Sequence, residues 1–222
     1  MKRRIEITKD NSHTIFVPDL NEHYHSTNGA IQEAKHVFID AALNYCNKSI
    51  INILEIGFGT GLNSFLALQY AELNDITINY TSLELYPIEW DDVKQLNYPE
   101  LIDKSKADIF ADLHQSEWEV KNQITPRFSL LKNNIDFSNA NNFSPATIFD
   151  VVFFDAFGPD KQPEMWGVES FTKVFESMSH DSVLTTYSAK GSIRRMLQNI
   201  GFKVERIPGP PGKREMIRAL KI

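Results

Sequence analysis

The apolar residues of this 222-residue chain form short runs that alternate with segments in which they recur at helical spacing. From residue 50 onward, the apolar runs predict strands at INILEIG, INYTSLELYP, FSLLKNN, FDVVFFDAF and SVLTTYS. The helical segments between and after them are LNSFLALQYAEL, EWDDVKQL, VESFTKVFESM and GSIRRMLQNIG. Strands that alternate with helices favour right-handed crossovers and a mostly parallel sheet covered on both faces.

The two ends of the chain break this alternation. RIEIT and HTIFV alternate around KDNS and predict a β-hairpin, followed by an irregular stretch over 19–29 and a helix at AIQEAKHVFIDAALNYC. At the other end, KVERIPGPPGKREMIRALKI predicts two antiparallel strands around a Pro/Gly turn. The predicted fold is a Rossmann-like α/β sheet of the class I methyltransferase type, with seven strands and an antiparallel terminal hairpin. We expect one domain over 31–222, preceded by the hairpin and irregular segment of 1–30.

Composition narrows the classes of protein to consider. The 42% hydrophobic and 23% charged content is ordinary for a globular protein. No run approaches the roughly 18 apolar residues of a membrane span, and the N-terminus lacks the apolar core of a secretion signal. Cys46 is the single cysteine and the six histidines lack metal-binding spacing, so we expect no disulfide and no metal. These features predict a cytoplasmic protein, with a monomer favoured.

A glycine-rich loop, LEIGFGTGLN, connects the first predicted strand of the alternating region to its helix. Gly57, Gly59 and Gly61 would allow a tight turn and a close approach of the backbone to a ligand. Their G-x-G-x-G spacing differs from the G-x-G-x-x-G pyrophosphate fingerprint and matches the loop that binds S-adenosylmethionine. This cofactor has no phosphate, and the loop has no lysine or arginine. Glu55 is predicted to receive the methionyl ammonium directly or through water.

Two further acids follow predicted strands. Glu84 ends the second strand, where it would accept hydrogen bonds from both ribose hydroxyls, a role that suits NAD and S-adenosylmethionine equally. Asp136 follows the third strand, in LLKNNIDF. It is a candidate for the adenine amino group, and capping of its own loop is an equal alternative.

Asp155 is the candidate catalytic residue. It ends the apolar run FDVVFFDAF, and ligands of open α/β sheets bind at the carboxyl ends of the strands. DAFGP is a variant of the (D/N)PP(Y/F) motif of enzymes that methylate amino nitrogens. An alkyl amine with a pKa near ~10 is mostly protonated at neutral pH, so a carboxylate could hold it and take its proton. A helix or loop cap is the structural alternative.

Several segments together resemble the methyltransferase domain of bacterial tRNA 5-methylaminomethyl-2-thiouridine biosynthesis proteins, the MnmC type. The segments are YHSTNGAIQEAKHVFI, LEIGFGTGLN, DAFGPDKQPEMW, TYSAKGSIRRML and GFKVERIPGPPGKREMIRA. The resemblance runs from about Tyr24 to Ala219. It implies methyl transfer from S-adenosylmethionine to the aminomethyl nitrogen of a wobble uridine in tRNA.

The resemblance also implies roles for matching positions. The residues implied in cofactor contact are Gly57, Gly59, Gly61 and Glu84. Asp155 would lie at the accepting amine, and the segment from Tyr24 to Glu33 would close over the site. HSTNGAIQEAKH departs from the more acidic run of many relatives. Two-domain relatives add a C-terminal FAD-dependent domain, whereas this chain ends at Ile222, so we expect methylation alone.

Charge is distributed unevenly along the chain. The net charge is −6, yet nine basic residues and only two acidic ones follow Thr185. The residues expected to contact tRNA phosphates are Lys190, Arg194, Arg195, Lys213 and Arg214. Phe157 and Trp166 are candidates for stacking on an unstacked base. A solvated basic helix and a buried structural tryptophan are the alternatives.

Three other functions share parts of this pattern. An aminopropyltransferase-like enzyme acting on a polyamine would have the sheet, the glycine loop and an acid after a strand. A non-catalytic tRNA-binding module would retain the fold, although Glu84 and Asp155 favour an enzyme. An NAD-dependent oxidoreductase is disfavoured by the glycine spacing and by the terminal hairpin.

Overall fold

The computed structural model describes residues 3–222, and the strands among them form two sheets. The strands are β1 (Arg4–Ile7), β2 (His13–Val17), β3 (Glu22–His23), β4 (Ile50–Ile56), β5 (Thr77–Leu83), β6 (Lys121–Thr125), β7 (Phe128–Asn133), β8 (Phe149–Phe154), β9 (Met178–Thr186), β10 (Lys203–Pro208) and β11 (Glu215–Lys221). The order of the larger sheet is β10-β11-β9-β8-β4-β5-β7-β6.

The helices cover both faces of this sheet. They are α1 (Ala30–Ala34), α2 (Leu62–Leu73), α3 (Trp90–Val93), α4 (Tyr98–Ile102), α5 (Ala107–Gln115), α6 (Val168–Ser177) and α7 (Gly191–Ile200). The helix predicted near residue 31 is α-helical only over α1 and continues as a π-helical turn over Lys35–Asp40. None of the helices in residues 3–222 is long and apolar enough to cross a membrane.

The predicted topology is confirmed, with one additional strand. Strands β4, β5, β7, β8 and β9 are parallel, and β10 and β11 form the antiparallel terminal hairpin. The sheet has eight strands rather than seven because β6 pairs antiparallel with β7 at the edge. Its sequence KNQIT is mostly polar, and of its five residues only Thr125 is buried, so it gave no apolar signal.

The small sheet at the N-terminus contains the predicted hairpin of β1 and β2. A short third strand, β3, pairs with β2 and lies in the stretch that the sequence predicted to be irregular. Two residues are too few for a recognisable alternation. After β2 the chain thus first pairs with that strand, through β3, and then leads into α1.

Strand β8 shows why the core forms as it does. All six residues of FDVVFF are buried. Val151 and Phe153 pack on the side of α2, whereas Val152 and Phe154 pack on the side of α6 and α7. A strand with helices on both faces needs apolar side chains in both directions, which explains the continuous run. From β4 the chain passes first to β5 and β7 and later to β8, so the strand order reverses between β4 and β8. Ligands bind at such a reversal.

Candidate active site

A cavity of about 680 Å³ opens at the carboxyl ends of the central strands. Its walls come from the loops after β4, β5, β7 and β8, from the segment after β2 and from the turn between β10 and β11. Among its lining residues are the predicted site residues Tyr24, Glu33, Gly57, Gly59, Glu84, Asp136, Asp155, Phe157 and Lys213. The volume is in the range of small-molecule and cofactor sites.

The glycine loop approaches its surroundings too closely for side chains. Gly57 has φ +96°, and a Cβ on it would lie 2.7 Å from the backbone oxygen of Asp155. Gly61 has φ +70°, and its Cβ would lie 2.5 Å from His114 Nε2. Gly61 starts α2 outside the cavity, whereas Gly57 and Gly59 line it. At Gly57 and Gly59 the loop thus presents backbone to a ligand.

Glu84 lies beside this loop with an oriented carboxylate. It accepts hydrogen bonds from Gly59 N at 3.0 Å and from Tyr86 N at 2.8 Å. A carboxylate offers about four lone-pair sites, so two backbone donors leave capacity for a ligand. The residue is therefore placed where ribose hydroxyls could be held.

Asp155 lines the same cavity with a single amide partner. Asn63 Nδ2, in the first turn of α2, donates to Asp155 Oδ2 at 2.7 Å. The pKa of Asp155 is raised to about 7, mainly by removal from solvent; the Asn63 hydrogen bond opposes this rise, the charge of Glu33 adds to it, and the charge of Lys213 opposes it. A carboxylate with this pKa is suited to accept a proton near neutral pH. The sequence analysis missed Asn63, although it directly follows the glycine loop.

Glu55 lies behind the wall of the cavity and not at its surface. It is fully buried on the α2 side of β4 and does not line the cavity. Ser82 Oγ donates to Glu55 Oε2 at 2.6 Å, and burial raises the pKa of Glu55 well above its usual value. Side chains alternate along a strand, so Ile56 faces the cavity and Glu55 points away. The structure does not bring this carboxylate to a position for direct contact with an ammonium group.

Lys213 lies on the predicted turn between β10 and β11, but its side chain points inward. Its ammonium points into the cavity, where it donates to Glu33 Oε1 at 2.7 Å and lies 4.1 Å from the centre of the Tyr187 ring. The second oxygen of Glu33 accepts from Ser26 N at 2.7 Å. The ion pair joins the β10–β11 turn to α1, which contains Glu33. A lysine held in this way does not lie on the outer face that was expected to meet phosphate.

The two aromatic candidates have different environments. Trp166 is buried, donates from Nε1 to the Phe157 carbonyl at 2.7 Å, and packs edge-on against Phe154. It is therefore a structural residue and is not available to stack on a base. Phe157 lines the cavity and meets the Tyr24 ring edge-on, with 5.0 Å between the ring centres.

The remaining predicted residues lie at the surface or in loops. Lys190 forms an exposed ion pair with Asp160 before α7, Arg194 is half-buried, and Arg195 and Arg214 are exposed. The carboxylate of Asp136 accepts hydrogen bonds from Ser138 N and Oγ at 3.0 and 2.6 Å. Asp136 thus caps its own loop while it lines the cavity.

Contacts outside the predicted set hold the segment 20–33 over the cavity. Lys161 Nζ donates to the carbonyls of Leu20 and Asn21 at 3.0 and 3.2 Å. His25 Nε2 hydrogen-bonds to Thr60 Oγ1 of the glycine loop at 2.7 Å, and burial lowers the pKa of His25 to about 4. The imidazole is therefore neutral at pH 7. Within residues 3–222, no group of His, Cys, Asp and Glu side chains is arranged to hold a metal.

The fold and this cavity define a nucleoside-cofactor enzyme, and comparison with known proteins identifies its family. Residues 106–222 match a family of S-adenosyl-L-methionine-dependent methyltransferases, and the chain belongs to this family. The expected cofactor and enzyme class are thereby confirmed, and an NAD-dependent oxidoreductase is excluded.

The relatives agree with the resemblance drawn from the sequence. A tRNA 5-methylaminomethyl-2-thiouridine biosynthesis bifunctional protein MnmC from Leptospira interrogans is 32% identical over 228 residues, which cover 95% of this chain and 34% of that protein. The MnmC of Azoarcus sp. is 30% identical over 210 residues, with coverages of 88% and 32%. The chain spans about a third of the length of these curated relatives.

A solved structure extends the similarity to the fold. The crystal structure of MNMC2 from Aquifex aeolicus superposes with a TM-score of 0.84 at 26% identity, covering 99% of this chain and 70% of that one. The resemblance to an MnmC-type methyltransferase domain is therefore confirmed.

Proposed function

We propose that this protein methylates the 5-aminomethyl group of a wobble (2-thio)uridine in tRNA, giving 5-methylaminomethyl-(2-thio)uridine. The relatives named above support the choice of substrate, and a tRNA substrate implies that the enzyme works in the cytoplasm. The chain spans about a third of the length of these relatives, so the substrate in their names is carried over to this chain as part of the proposal. We propose that residues 31–222 form the methyltransferase domain.

The residues around the cavity fit S-adenosylmethionine. Gly57 and Gly59 would contact it through their backbone. Space beside Gly59 is limited, since a Cβ there would lie 3.1 Å from the Tyr24 ring. Glu84 would hold the ribose, and Asp136 would lie near the adenine. When bound, this cofactor supplies a methyl group activated on a sulfonium.

The observation that carries the proposal is the closeness of Asp155 to the glycine loop. Its backbone oxygen lies 2.7 Å from where a Cβ on Gly57 would be, so the acceptor-side acid and the cofactor loop share one wall. In our proposal Asp155 accepts the proton of the incoming ammonium and orients the nitrogen. Asn63 fixes the carboxylate, and Phe157 and Tyr24 confine the base.

Positive charge outside the cavity would position the RNA. Arg195 and Arg214 are exposed, and Lys190 and Arg194 lie at the start of α7. We propose that these four residues contact phosphates, which position a nucleic acid without reading its sequence. Lys213 is left out of this set because its ammonium is held inside the cavity.

The direct experiment supplies the purified protein with S-adenosylmethionine and tRNA from cells that cannot complete this wobble modification. We expect methyl incorporation and a gain of 5-methylaminomethyl-(2-thio)uridine in the mass analysis of tRNA nucleosides. No incorporation into tRNA, together with aminopropyl transfer from decarboxylated S-adenosylmethionine to a polyamine, would contradict the proposal. Binding of tRNA without any transfer would instead indicate a non-catalytic module.

A further inference from the structure

The acceptor side of the cavity already contains a bound ammonium group, that of Lys213. It sits between the Glu33 carboxylate, at 2.7 Å, and the face of the Tyr187 ring, at 4.1 Å from the ring centre. A carboxylate and an aromatic face are the two groups that attract an alkylammonium most effectively. Glu33 and Tyr187 thus form a cation-binding site, and the cation bound there is the protein's own lysine side chain.

The groups of this site are fixed independently of their cation. Glu33 is 8% exposed, and Ser26 N holds its other oxygen. The Tyr187 hydroxyl donates to the Ala156 carbonyl at 2.8 Å, which places the ring one residue from Asp155. Because the carboxylate and the ring are held by their own partners, removal of the lysine would leave the site in place.

Lys213 is the component of this site that a ligand could displace. It lies on the Pro/Gly turn between β10 and β11, and its side chain is 33% exposed, against 10% for that of Glu33. A lysine carries its charge on a flexible four-carbon stem, so the ammonium can move without a change in the backbone. Arg214, the next residue, is exposed on the outer face of the turn.

We propose that Glu33 and the face of Tyr187 form the recognition site for the acceptor ammonium, and that Lys213 occupies this site until the substrate aminomethyl group displaces it. The inference rests on the proposed function and names the residues that select an amine. The released lysine would join Arg214 on the outer face, where the RNA phosphates are expected.

With this site, binding, proton transfer and methyl transfer at the substrate aminomethyl nitrogen would follow in that order. The substrate enters as an ammonium and is held by Glu33 and Tyr187, beside Asp155. One N–H proton passes to the Asp155 carboxylate, and the freed lone pair forms the N–C bond to the methyl carbon. The electron pair of the broken C–S bond stays on sulfur, which leaves S-adenosylhomocysteine. Glu33 and Tyr187 thus act as binding residues and Asp155 as the proton acceptor.

The test measures binding without cofactor, so that no methyl is transferred. The probes are one tRNA that carries 5-aminomethyluridine at the wobble position and the same tRNA with unmodified uridine, and the readout is fluorescence anisotropy. We define the preference as the dissociation constant of the unmodified tRNA divided by that of the aminomethyl tRNA. We expect the unsubstituted protein to prefer the aminomethyl tRNA.

Substitutions should change this preference in opposite directions. Glu33→Gln keeps an acceptor for Ser26 N but loses the charge, and we expect the preference to fall roughly tenfold. Lys213→Met removes the competing ammonium and should raise the preference several-fold. Lys203→Met, at an exposed position on β10 outside the cavity, is the control and should leave the preference unchanged.

A second pair of variants covers the case in which Glu33→Gln fails to fold. Tyr187→Phe loses the hydrogen bond to the Ala156 carbonyl but retains the aromatic face, so it should keep most of the preference, whereas Tyr187→Leu should lower it about threefold. Equal weakening of both tRNAs by Lys213→Met would make Lys213 a phosphate contact and overturn the inference. A preference that no variant changes would overturn it as well.

The methylation assay separates this inference from the proposed function. A protein that methylates tRNA while its variants all keep the same preference retains the proposed function and loses only the ammonium site. A protein that shows the expected preferences but transfers no methyl to the aminomethyl tRNA keeps the site and loses the proposed reaction. Binding to neither tRNA contradicts both.

Discussion

The two halves of the cavity are built in different ways. The cofactor half comes from consecutive parts of the chain: the glycine loop after β4 and Glu84 after β5, whose carboxylate accepts from two backbone N–H groups. The acceptor half combines Glu33, Asp155 and Lys213, which are far apart in sequence. The first half is fixed by backbone geometry, while the second depends on charged side chains that can exchange partners. Substitutions should therefore separate binding of the cofactor from turnover.

The largest expected effect comes from Asp155→Asn. Loss of the proton acceptor should lower turnover by roughly 100-fold or more, while the dissociation constant for S-adenosylhomocysteine should stay within about twofold. Methyl incorporation into tRNA and calorimetric titration measure the two quantities. Asp181→Asn is the control because its side chain is 77% exposed. Unchanged turnover in Asp155→Asn would remove this residue from the chemistry.

A smaller but still large effect is expected from Gly61→Ala, at the end of the glycine loop that supports the cofactor half. The added Cβ would lie 2.5 Å from His114 Nε2 at φ +70°, so either the loop or the histidine must move. We expect a loss of about 2 kcal/mol in the free energy of unfolding and a fall in Tm of roughly 4–8 °C. Gly167→Ala is the matched control, since the nearest atom to its Cβ would be at 3.9 Å. Equal Tm values for the two variants would show that the contact between position 61 and His114 is not tight.

The pH dependence of stability tests the environment of Asp155. Its folded-state pKa is raised to about 7 from 3.8, so between these values the folded state binds more protons than the unfolded state. This residue's contribution to stability therefore falls as pH rises from about 4 to 7. Asp155→Asn should raise Tm relative to the original protein at pH 8, and the gain should shrink towards pH 5. A Tm difference that does not vary with pH would show that the carboxylate is not desolvated.

The smallest effect is expected at the outer surface. Arg214→Ala should weaken binding to unmodified tRNA modestly and reduce the slope of log K against log[salt] by roughly 0.7–0.9, the value for one phosphate contact. Lys213→Ala should leave that slope unchanged, since the Lys213 ammonium pairs with Glu33 inside the cavity. Anisotropy titrations between 50 and 200 mM salt measure both slopes. The opposite pattern would place the phosphate contact on Lys213.

Most of the fold could be predicted from the sequence because its signals are local. Apolar runs marked the parallel strands, and the glycine spacing marked the turn between β4 and α2. Strand β6 escaped notice because its residues are polar and lie at an edge, where the sheet does not need apolar side chains. Glu84 and Asp155 follow strand ends, so their position at the cavity was also predictable.

The sequence by itself determined which residues reach the carboxyl edge of the sheet, because strand ends and glycine turns are specified by neighbouring residues. Only the tertiary structure decided what each side chain does there. It turned Glu55 away from the cavity, buried Trp166, and paired Lys213 with Glu33, 180 positions away. Burial and ion pairing between distant segments depend on how the chain folds back on itself. The type and charge of a residue do not specify which distant residue it will contact.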